Sequence, residues 1–418
     1  MPANLRVLSH LPVLFILAYL ASGAELYINF VTGIPPFYGE LICLGGLLAA
    51  LGVETVTVNG RNLLLPSAVR AIYAILLVYG FVTVVSFTYS VQNDVVVDTL
   101  FGRIKTIIFL VVVSLLLIEP TLRSRFTYVA ALVAIVGSLL SIFDFIVPTF
   151  SSVPGRGAGF YLNSNETGAM LLVMALIGST RLRVLPTYVL WSITTIGILV
   201  TFSRSAWIML FLSLIGITFL GKLGGGRARY VFLIGVGAML ALVLATYLSG
   251  DLYAWVSKSS LAEYLDPNTL ARLGSRGVAI DDYSSLERED VFRFGMEKFL
   301  DSPFIGWGVG YGYVWAESVG THNMPLALAV DFGIIGPILY FALFAVLIAR
   351  TRGLAWISAA VLFMTGQSTH NQLEFLADAM AIAYVIATTS EYKRRPAAPR
   401  APRRRPAATQ IPRQQIQR

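Results

Sequence analysis

The chain has 418 residues, of which 56% are hydrophobic and only 13% are charged, and its mean hydropathy is +0.73. Soluble globular proteins carry roughly 25% charged residues, so this composition excludes a chain of soluble domains. The single cysteine, Cys43, lies in an apolar run and excludes both an intrachain disulfide and a cysteine-based metal site.

The net charge of +8 belongs to the end of the chain. Residues 391–418 hold nine Lys or Arg residues and one acidic residue, whereas the other 390 residues hold 22 of each sign. This tail is rich in Pro, Ala and Arg and has no apolar pattern, so we predict that it is disordered. We expect it to lie on anionic cytoplasmic lipid rather than to bind nucleic acid.

Repeated apolar runs of about 18 residues or more predict membrane-spanning helices. We predict an all-α polytopic membrane protein with about twelve transmembrane helices, at 11–30, 37–53, 68–90, 102–118, 126–147, 164–180, 186–202, 204–221, 230–250, 323–349, 354–369 and 372–389. The first run lacks a small-residue cleavage site, so we expect it to be retained as a span rather than removed as a signal peptide.

Lys and Arg residues accumulate in the cytoplasmic connections of membrane proteins. With the N-terminus inside, every even-numbered connection is basic, through Arg61 and Arg70, Arg123 and Arg125, Arg181 and Arg183, Lys222, Arg227 and Arg229, and Arg350 and Arg352. This pattern predicts that both termini are cytoplasmic. It divides the chain into helices one to nine (1–250), a large outer loop domain (251–321), helices ten to twelve (322–390) and the basic tail (391–418).

Besides the outer loop domain, which holds eleven acidic and six basic residues, two arginines lie on the outer side against this bias. Arg156 lies in a glycine-rich loop after the fifth span, and Arg204 lies at the start of the eighth span. An arginine beside the free N–H groups of a helix start can bind a phosphate. The alternative for Arg204 is that it extends toward the membrane surface beside Trp207 without binding a ligand.

The outer loop contains a predicted amphipathic helix over 284–300, in which Ser284 and Glu287 form a capping box. Its predicted apolar stripe consists of Phe292, Gly295, Met296 and Phe299. Such a helix lies on the outer membrane surface or covers a cavity. Arg288 lies at the polar head of the stripe, where it could contact a lipid phosphate or pair with its acidic neighbours.

His322 and Asn323 mark the start of the tenth span, where Thr321 or Asn323 can cap the helix. The positive end of a helix favours a neutral imidazole, which can accept a proton from a hydroxyl nucleophile. A hydrogen-bonded interfacial histidine is the alternative. Gly333 and Gly336 allow this span to pack closely on a neighbour.

Two further outer segments carry candidate residues. Asn163 and Asn165 precede the sixth span, where Asn163 and Glu166 can form a capping box. His370 lies at the last outer turn and competes with His322 for the role of a base.

These motifs together resemble the bacterial O-antigen ligase and O-antigen polymerase superfamily. They occur in the order Asn163-Ser164-Asn165, then Ser203-Arg204, then Arg288 with the segment Ser302-Pro303-Phe304-Ile305-Gly306-Trp307-Gly308-Val309-Gly310, then His322-Asn323 followed after nine residues by Gly333 and Gly336. Phe292 stands where a tryptophan is usual in the family.

The resemblance implies a membrane-embedded glycosyltransferase fold of the C type in the bacterial inner membrane, with its large loop and active site in the periplasm. The implied donor is a glycan on undecaprenyl pyrophosphate, with Arg204 and Arg288 binding the pyrophosphate and His322 as the catalytic histidine. Weaker substrate contacts are expected from Arg156, Asn163, Asn165, Asn323 and His370. The last motif favours a ligase that uses lipid A-core as the acceptor.

Two alternatives stay open from the sequence. A polymerase would use the same donor and a second lipid-linked glycan as the acceptor. A transporter of polysaccharide or a small molecule would place ionisable residues near the membrane midplane and show internal repeats, neither of which is evident. We expect an inverting transferase that needs neither a metal nor a cofactor, because two fixed arginines can stabilise the leaving pyrophosphate.

Overall fold

The computed structural model of the chain describes residues 3–57, 65–151, 155–223, 230, 234–235, 237, 258–259, 283–315, 320–369 and 371–390, and for residues 3–9, 55–57 and 283–287 it describes the backbone alone. The α-helices within these ranges are α1 (Ala3–Ala21), α2 (Ala24–Thr32), α3 (Pro36–Thr57), α4 (Ser67–Phe87), α5 (Asp94–Leu117), α6 (Pro120–Ile146), α7 (Ser164–Gly178), α8 (Val184–Leu199), α9 (Arg204–Phe219), α10 (Tyr283–Asp301), α11 (Tyr311–Val314), α12 (Met324–Phe332), α13 (Ile335–Arg350), α14 (Leu354–Gly366) and α15 (Leu376–Thr389).

The helices agree with a polytopic membrane protein. Within the described ranges, four helices are long and apolar enough to cross a membrane: Pro36–Glu54, Ser67–Phe87, Asp94–Leu117 and Pro120–Ile146. The bent pair α1 and α2 would make a fifth span, and α7, α8, α9, α13, α14 and α15 are shorter apolar helices. The total of twelve stays a prediction. The ninth predicted span, most of the outer loop domain before α10 and the basic tail fall largely or wholly outside the described residues.

The first predicted span is not one helix. α1 and α2 are bent by 68° at a break that contains Gly23, whose φ is 69°. The ring of Tyr161 packs against Gly23, where a Cβ would lie 2.7 Å from Cδ1 of that ring. The Tyr161 hydroxyl donates to the Ala21 carbonyl at 2.7 Å. A tyrosine from a distant segment therefore satisfies a carbonyl that the break releases.

The tenth predicted span, 323–349, is also wrong as a single helix. It breaks at Gly333, whose φ of 63° and ψ of −152° end α12 before α13 begins. A Cβ on Gly333 would collide with the carbonyl carbon of Phe304, and the N–H of Ile334 donates to the Pro303 carbonyl at 2.7 Å. Gly333 therefore admits the backbone of the outer loop, whereas Gly336 packs against Leu328 of the preceding helix α12.

The core of the bundle is formed around α7, which packs against α6, α8, α9 and α14. Nearly every residue of α7 is buried, in agreement with a helix that is apolar on all sides. Small residues bring its neighbours close, since a Cβ on Gly178 would lie 2.8 Å from Cα of Ala131. The exposed apolar side chains on the peripheral helices, such as Phe15 and Phe219, suit contact with lipid.

The bundle has two distinct ends. α7, α9, α12 and α15 all begin at one end, which we call the His322 end. The opposite end, which we call the Arg181 end, contains the residues that follow α7, α9, α13 and α15 and those that begin α6. Asn371 bonds to Glu166 at the His322 end, and Lys222 bonds to Thr180 at the Arg181 end.

Candidate active site

Three helix starts at the His322 end share one backbone feature, a residue with a positive φ just before the N-cap. In the described part of the chain, three non-glycine residues have a positive φ: Leu162 (60°), Phe202 (51°) and His322 (50°). Each directly precedes the N-cap residue of a helix, and these helices are α7, α9 and α12. The same three starts carry the Asn163, Arg204 and His322 motifs. A side chain with a positive φ is uncommon, and the surrounding structure must hold it in place.

The start of α7 is tied to the turn before α9 by Arg156. Asn163 caps α7 by accepting from the N–H of Asn165 at 2.9 Å. Arg156 is buried and donates through Nη2 to Asn165 Oδ1 at 3.0 Å and through Nε to the Thr201 carbonyl at 2.9 Å. Both bonds hold protein atoms together, so Arg156 acts first as a clamp between two motif-bearing segments.

Arg204 is the first residue of α9 and is exposed at the His322 end. The hydroxyl of Ser203 caps this helix by accepting from the N–H of Ala206 at 3.5 Å. The starts of α7 and α9 touch, because a Cβ on Gly168 would lie 2.6 Å from Ala206 Cβ. The arginine therefore stands beside two helix starts, whose N–H groups favour an anion.

His322 is half-buried immediately before α12. Asn323 caps this helix, since its Oδ1 accepts from the N–H of Leu326 at 2.9 Å, which confirms one of the two predicted caps. Its Nδ2 donates to the Gln367 carbonyl at 3.3 Å, and the Thr321 hydroxyl donates to the Asn323 carbonyl at 2.9 Å. These bonds fix the backbone on both sides of the histidine.

The outer-loop helix is confirmed as α10, and it packs on the segment that carries His322. A Cβ on Gly295 would lie 3.1 Å from the side chains of Thr321 and Leu326. Arg288 lies seven residues before Gly295, which is about 10 Å along a helix. α10 therefore carries Arg288 to within about two turns of the His322 segment.

The predicted apolar stripe of α10 is half wrong. Phe292 and Met296 are exposed to 45% and 38%, whereas Val291 and Gly295 are buried and Phe299 packs against the small cluster formed with α12. The helix therefore turns Val291, Gly295 and Phe299 toward the bundle, with Gly295 packed against Thr321 and Leu326. The exposed side chains then face away from the bundle core.

The loop after α10 wraps around the end of α12 through backbone contacts. The N–H of Trp307 donates to the Val330 carbonyl at 2.9 Å, and the N–H of Gly308 donates to the Asp331 carbonyl at 3.0 Å. Gly306 has a φ of 75°, and a Cβ there would collide with the backbone of Asp331. The Pro-x-x-Gly-x-Gly segment is therefore a close-packing element that fixes the break at Gly333.

A buried ionic network lies behind this loop. Arg103 of α5 is 1% exposed, and its guanidinium bonds to Asp331 at 2.6 Å and to Glu374 at 2.8 Å. Asp331 also accepts from the N–H of Gly310 at 3.1 Å, and the Tyr313 hydroxyl donates to Glu374 at 3.0 Å. Burial, and then the nearby Glu374 carboxylate, raise the pKa of Tyr313, so its phenol stays protonated and donates.

Arg103 and Glu374 were not among the site residues predicted from the sequence. Arg103 lies inside the fourth predicted span, where an arginine must find a carboxylate partner. That signal was available, but the partners lie more than two hundred residues away, and only the fold reveals them.

A cavity of about 400 Å³ lies beside this network. Its polar lining comes from Asp98, Thr99, Tyr313, Asn371 and Glu374, and none of the described residues that line it is basic. Carboxylate, hydroxyl and amide groups bind hydroxyl groups well, whereas the two carboxylates repel an anion. The cavity therefore suits an uncharged, hydroxyl-rich ligand.

The connection between α14 and α15 joins these parts. Gln367 receives the bond from Asn323, and Asn371 donates to Glu166 of α7 at 2.8 Å while also lining the cavity. Glu166 thus bonds to a distant amide rather than completing the predicted capping box. His370 lies in the same connection but outside the described residues.

The fold brings the predicted residues to one end of the bundle in two groups. The first group is Arg156, Asn163, Asn165 and Arg204, and the second is Arg288, His322 and Asn323. The connection between α14 and α15 bonds to Asn323 of the second group and to Glu166 of α7, the helix that Asn163 caps, and it lines the cavity. The end is therefore a polar surface with cationic helix starts on one part and an acidic cavity on the other.

Comparison with known proteins agrees with the motifs. Residues 187–341 match a family described as O-antigen ligase, a segment that runs from α8 into α13 and contains Arg204, Arg288 and His322. Comparison with curated proteins gave no match. The family match covers 155 of the 418 residues and supports the resemblance to the O-antigen ligase and polymerase superfamily that the sequence motifs indicate.

Proposed function

We propose that this protein is a glycosyltransferase of the O-antigen ligase type, which moves a glycan from undecaprenyl pyrophosphate to an acceptor hydroxyl of lipid A-core. The observation that carries the proposal is the arrangement at the His322 end. Two motif arginines, a half-buried histidine and an acidic cavity occur together at this one end of the bundle.

The arginines suit the leaving group. Arg204 stands at the start of α9 beside the start of α7, so its guanidinium and the helix N–H groups can bind a pyrophosphate together. Arg288 supplies a second cation from α10. Two fixed cations stabilise the negative charge that develops as the pyrophosphate departs, and this is work that a metal ion performs in other transferases.

His322 suits the acceptor. In the proposed step, a ring nitrogen of His322 takes the proton of the acceptor hydroxyl as that oxygen forms a bond to the anomeric carbon. The bond from the anomeric carbon to the pyrophosphate oxygen breaks, and the electron pair leaves with the pyrophosphate. Attack from the side opposite the leaving group inverts the anomeric centre.

The remaining residues hold this arrangement together. Arg156, Asn163, Asn165 and Asn323 position the helix starts through the bonds described above. We further propose that the cavity between α5 and α15 binds sugar hydroxyls, since its acidic lining excludes the phosphates of the donor. His370 is the competing base.

The proposal includes an orientation. The His322 end faces the periplasm of a bacterium, the protein crosses the inner membrane several times, and both termini are cytoplasmic. The basic tail then contacts anionic lipid at the cytoplasmic surface.

A gel of surface polysaccharide and lipid-linked glycan from cells lacking the protein tests the reaction. A ligase predicts loss of all O-chain from lipid A-core, with long lipid-linked polymer accumulating. Core that bears a single repeat, or single lipid-linked repeats that accumulate, would instead indicate a polymerase. An unchanged pattern in both fractions would contradict both readings and favour a transporter.

Variants returned to those cells test the residues. His322→Asn keeps a residue that tolerates a positive φ but removes the imidazole, so we expect transfer to fall about 100- to 10,000-fold while the protein still folds. An active His322→Asn protein, together with an inactive His370→Ala protein, would move the base to His370.

The arginine assignment has a matched control on one helix. Arg288→Ala should lower transfer about 100-fold or more. Arg293→Ala removes an exposed arginine that pairs with Asp290 at 2.9 Å on the same helix, and it should leave transfer unchanged. Equal effects of the two variants would mean that α10 contributes general charge rather than a pyrophosphate contact.

A further inference from the structure

The Arg181 end contains a second cavity that the proposed function does not use. Its volume is about 510 Å³, and five cationic side chains line it: Arg123, Arg181, Lys222, Arg350 and Arg352. They come from the start of α6 and from the segments after α7, α9 and α13, so four separate parts of the chain converge on one space. None of the described residues that line this cavity is acidic.

Two of these cations are held by backbone carbonyl groups. Arg123 is 5% exposed and donates to the Ala387 carbonyl at 3.0 Å, and Lys222 donates to the Thr180 carbonyl at 3.0 Å. The lining carries several positive charges, because arginine is not deprotonated in proteins.

A helix start adds to the charge. α14, which is 13 residues long, begins at this cavity, and Gly353, Leu354 and Ala355 line it. Gly353 provides no side-chain cap, so the first N–H groups of α14 lack the partner that a capping residue would supply. A helix start combined with guanidinium groups is the usual chemistry of phosphate binding.

The ligand must reach the site from the membrane or from solution. The cavity lies where several apolar helices end, which is the depth of lipid headgroups in a membrane. Its volume exceeds that of one phosphate, and the side chains of Thr388 and Tyr384 supply hydroxyl groups. Both features favour a phosphodiester headgroup over a free phosphate ion.

We propose that this cavity is a binding site for the phosphate of an acidic phospholipid such as phosphatidylglycerol. The site is distinct from the glycan-transfer site, because it lies at the opposite ends of the same helices. It does not depend on the proposed function, and its test does not measure transfer.

Native mass spectrometry of the full-length protein in mixed phosphatidylglycerol and phosphatidylethanolamine tests the proposal. Wild type should retain phosphatidylglycerol in preference to phosphatidylethanolamine. Arg181→Ala combined with Arg350→Ala should reduce that preference at least about tenfold, since each basic residue contributes to the attraction of acidic lipid. Both side chains are exposed, so the variant should fold normally.

The matched control is Arg183→Ala, which removes an exposed arginine from the same connection but outside the cavity, and it should retain the lipid as wild type does. An unchanged preference in the double variant would overturn the site. Displacement of phosphatidylglycerol by millimolar inorganic phosphate, with no preference between the two lipids, would overturn the lipid as the ligand.

Discussion

The two cavities at opposite ends of the same helices are lined by side chains of opposite charge. At the His322 end, Asp98 and Glu374 line a cavity near the start of α15, and at the Arg181 end five cations line a cavity near its other end. About 20 Å of helix separates Phe375 in the first cavity from Thr388 in the second. The acidic cavity therefore suits a neutral ligand with hydroxyl groups, and the basic cavity suits an anionic ligand.

The ends also differ in how they hold a buried arginine. Arg103 bonds to two carboxylates, Asp331 and Glu374, and thereby joins α5 to the end of α12 and to the connection before α15. Arg123 donates to the backbone carbonyl of Ala387 and lines the basic cavity. Arg103 therefore joins parts of the fold, whereas Arg123 lines the cavity that we propose to bind a lipid phosphate.

The largest expected effect on stability comes from breaking the ionic network around Arg103 at the His322 end. Arg103→Met leaves the buried Asp331 and the partly buried Glu374 without their cation, and we expect the free energy of unfolding to fall by about 3–5 kcal/mol. Thermal unfolding in detergent measures this loss. Arg181→Met, an exposed arginine at the other end, should cost less than about 0.5 kcal/mol. Similar losses for the two variants would refute the structural role of Arg103.

A smaller effect on stability is expected from substituting two glycines that have nearly the same backbone angles. Gly333 at the break after α12 has φ 63° and ψ −152°, and Gly353 at the start of α14 has φ 61° and ψ −136°. A Cβ on Gly333 would collide with Phe304, whereas nothing lies within 4 Å of a Cβ on Gly353.

Both substitutions by alanine therefore force the same strained backbone, but only one adds a steric clash. We expect Gly333→Ala to destabilise the protein by about 1–3 kcal/mol more than Gly353→Ala does. The difference in the thermal unfolding of the two variants isolates the packing of the loop on the break. A Gly353→Ala variant that is equally or more destabilised would mean that backbone strain alone accounts for the cost at Gly333.

The sequence predicted helix starts better than helix continuity. The starts at Arg204 and Met324 and the cap by Asn323 follow from local residues, and the structure agrees with them. The breaks at Gly23 and Gly333 were missed because average hydropathy does not register one glycine, and because Tyr161 and Phe304, which occupy those breaks, come from elsewhere in the chain.

The candidate site was predicted in part for the same reason. The Arg204, Arg288 and His322 motifs are local patterns, so the sequence could single them out. Arg156 was predicted as a weak ligand contact, which stays a prediction, and only the tertiary structure reveals that it bonds to Asn165 and Thr201. The acidic cavity escaped prediction because Asp98, Tyr313 and Glu374 come from three distant segments.

The smallest expected effect is a change in KM caused by a substitution in the acidic cavity. Asp98→Asn keeps the shape of the side chain but replaces a charged carboxylate acceptor by a neutral amide. Hydrogen bonds from sugar hydroxyls to the side chain become weaker, so we expect KM for the glycan to rise about five- to tenfold. Because the cavity binds rather than reacts, kcat should stay within about twofold of wild type. In vitro transfer with purified lipid-linked glycan separates the two constants.

Asp94→Asn is the matched control for Asp98→Asn, since it removes an exposed acid one turn earlier on α5, outside the cavity, and it should leave KM unchanged. The variant that combines Arg181→Ala with Arg350→Ala should also leave KM unchanged while losing lipid preference. If Asp98→Asn instead lowered kcat alone, the acidic cavity would act on the reaction, and if the basic-end variant raised KM, the two ends would not be independent. Opposite outcomes from the two cavities would establish that each end of the bundle recognises a different part of the membrane environment.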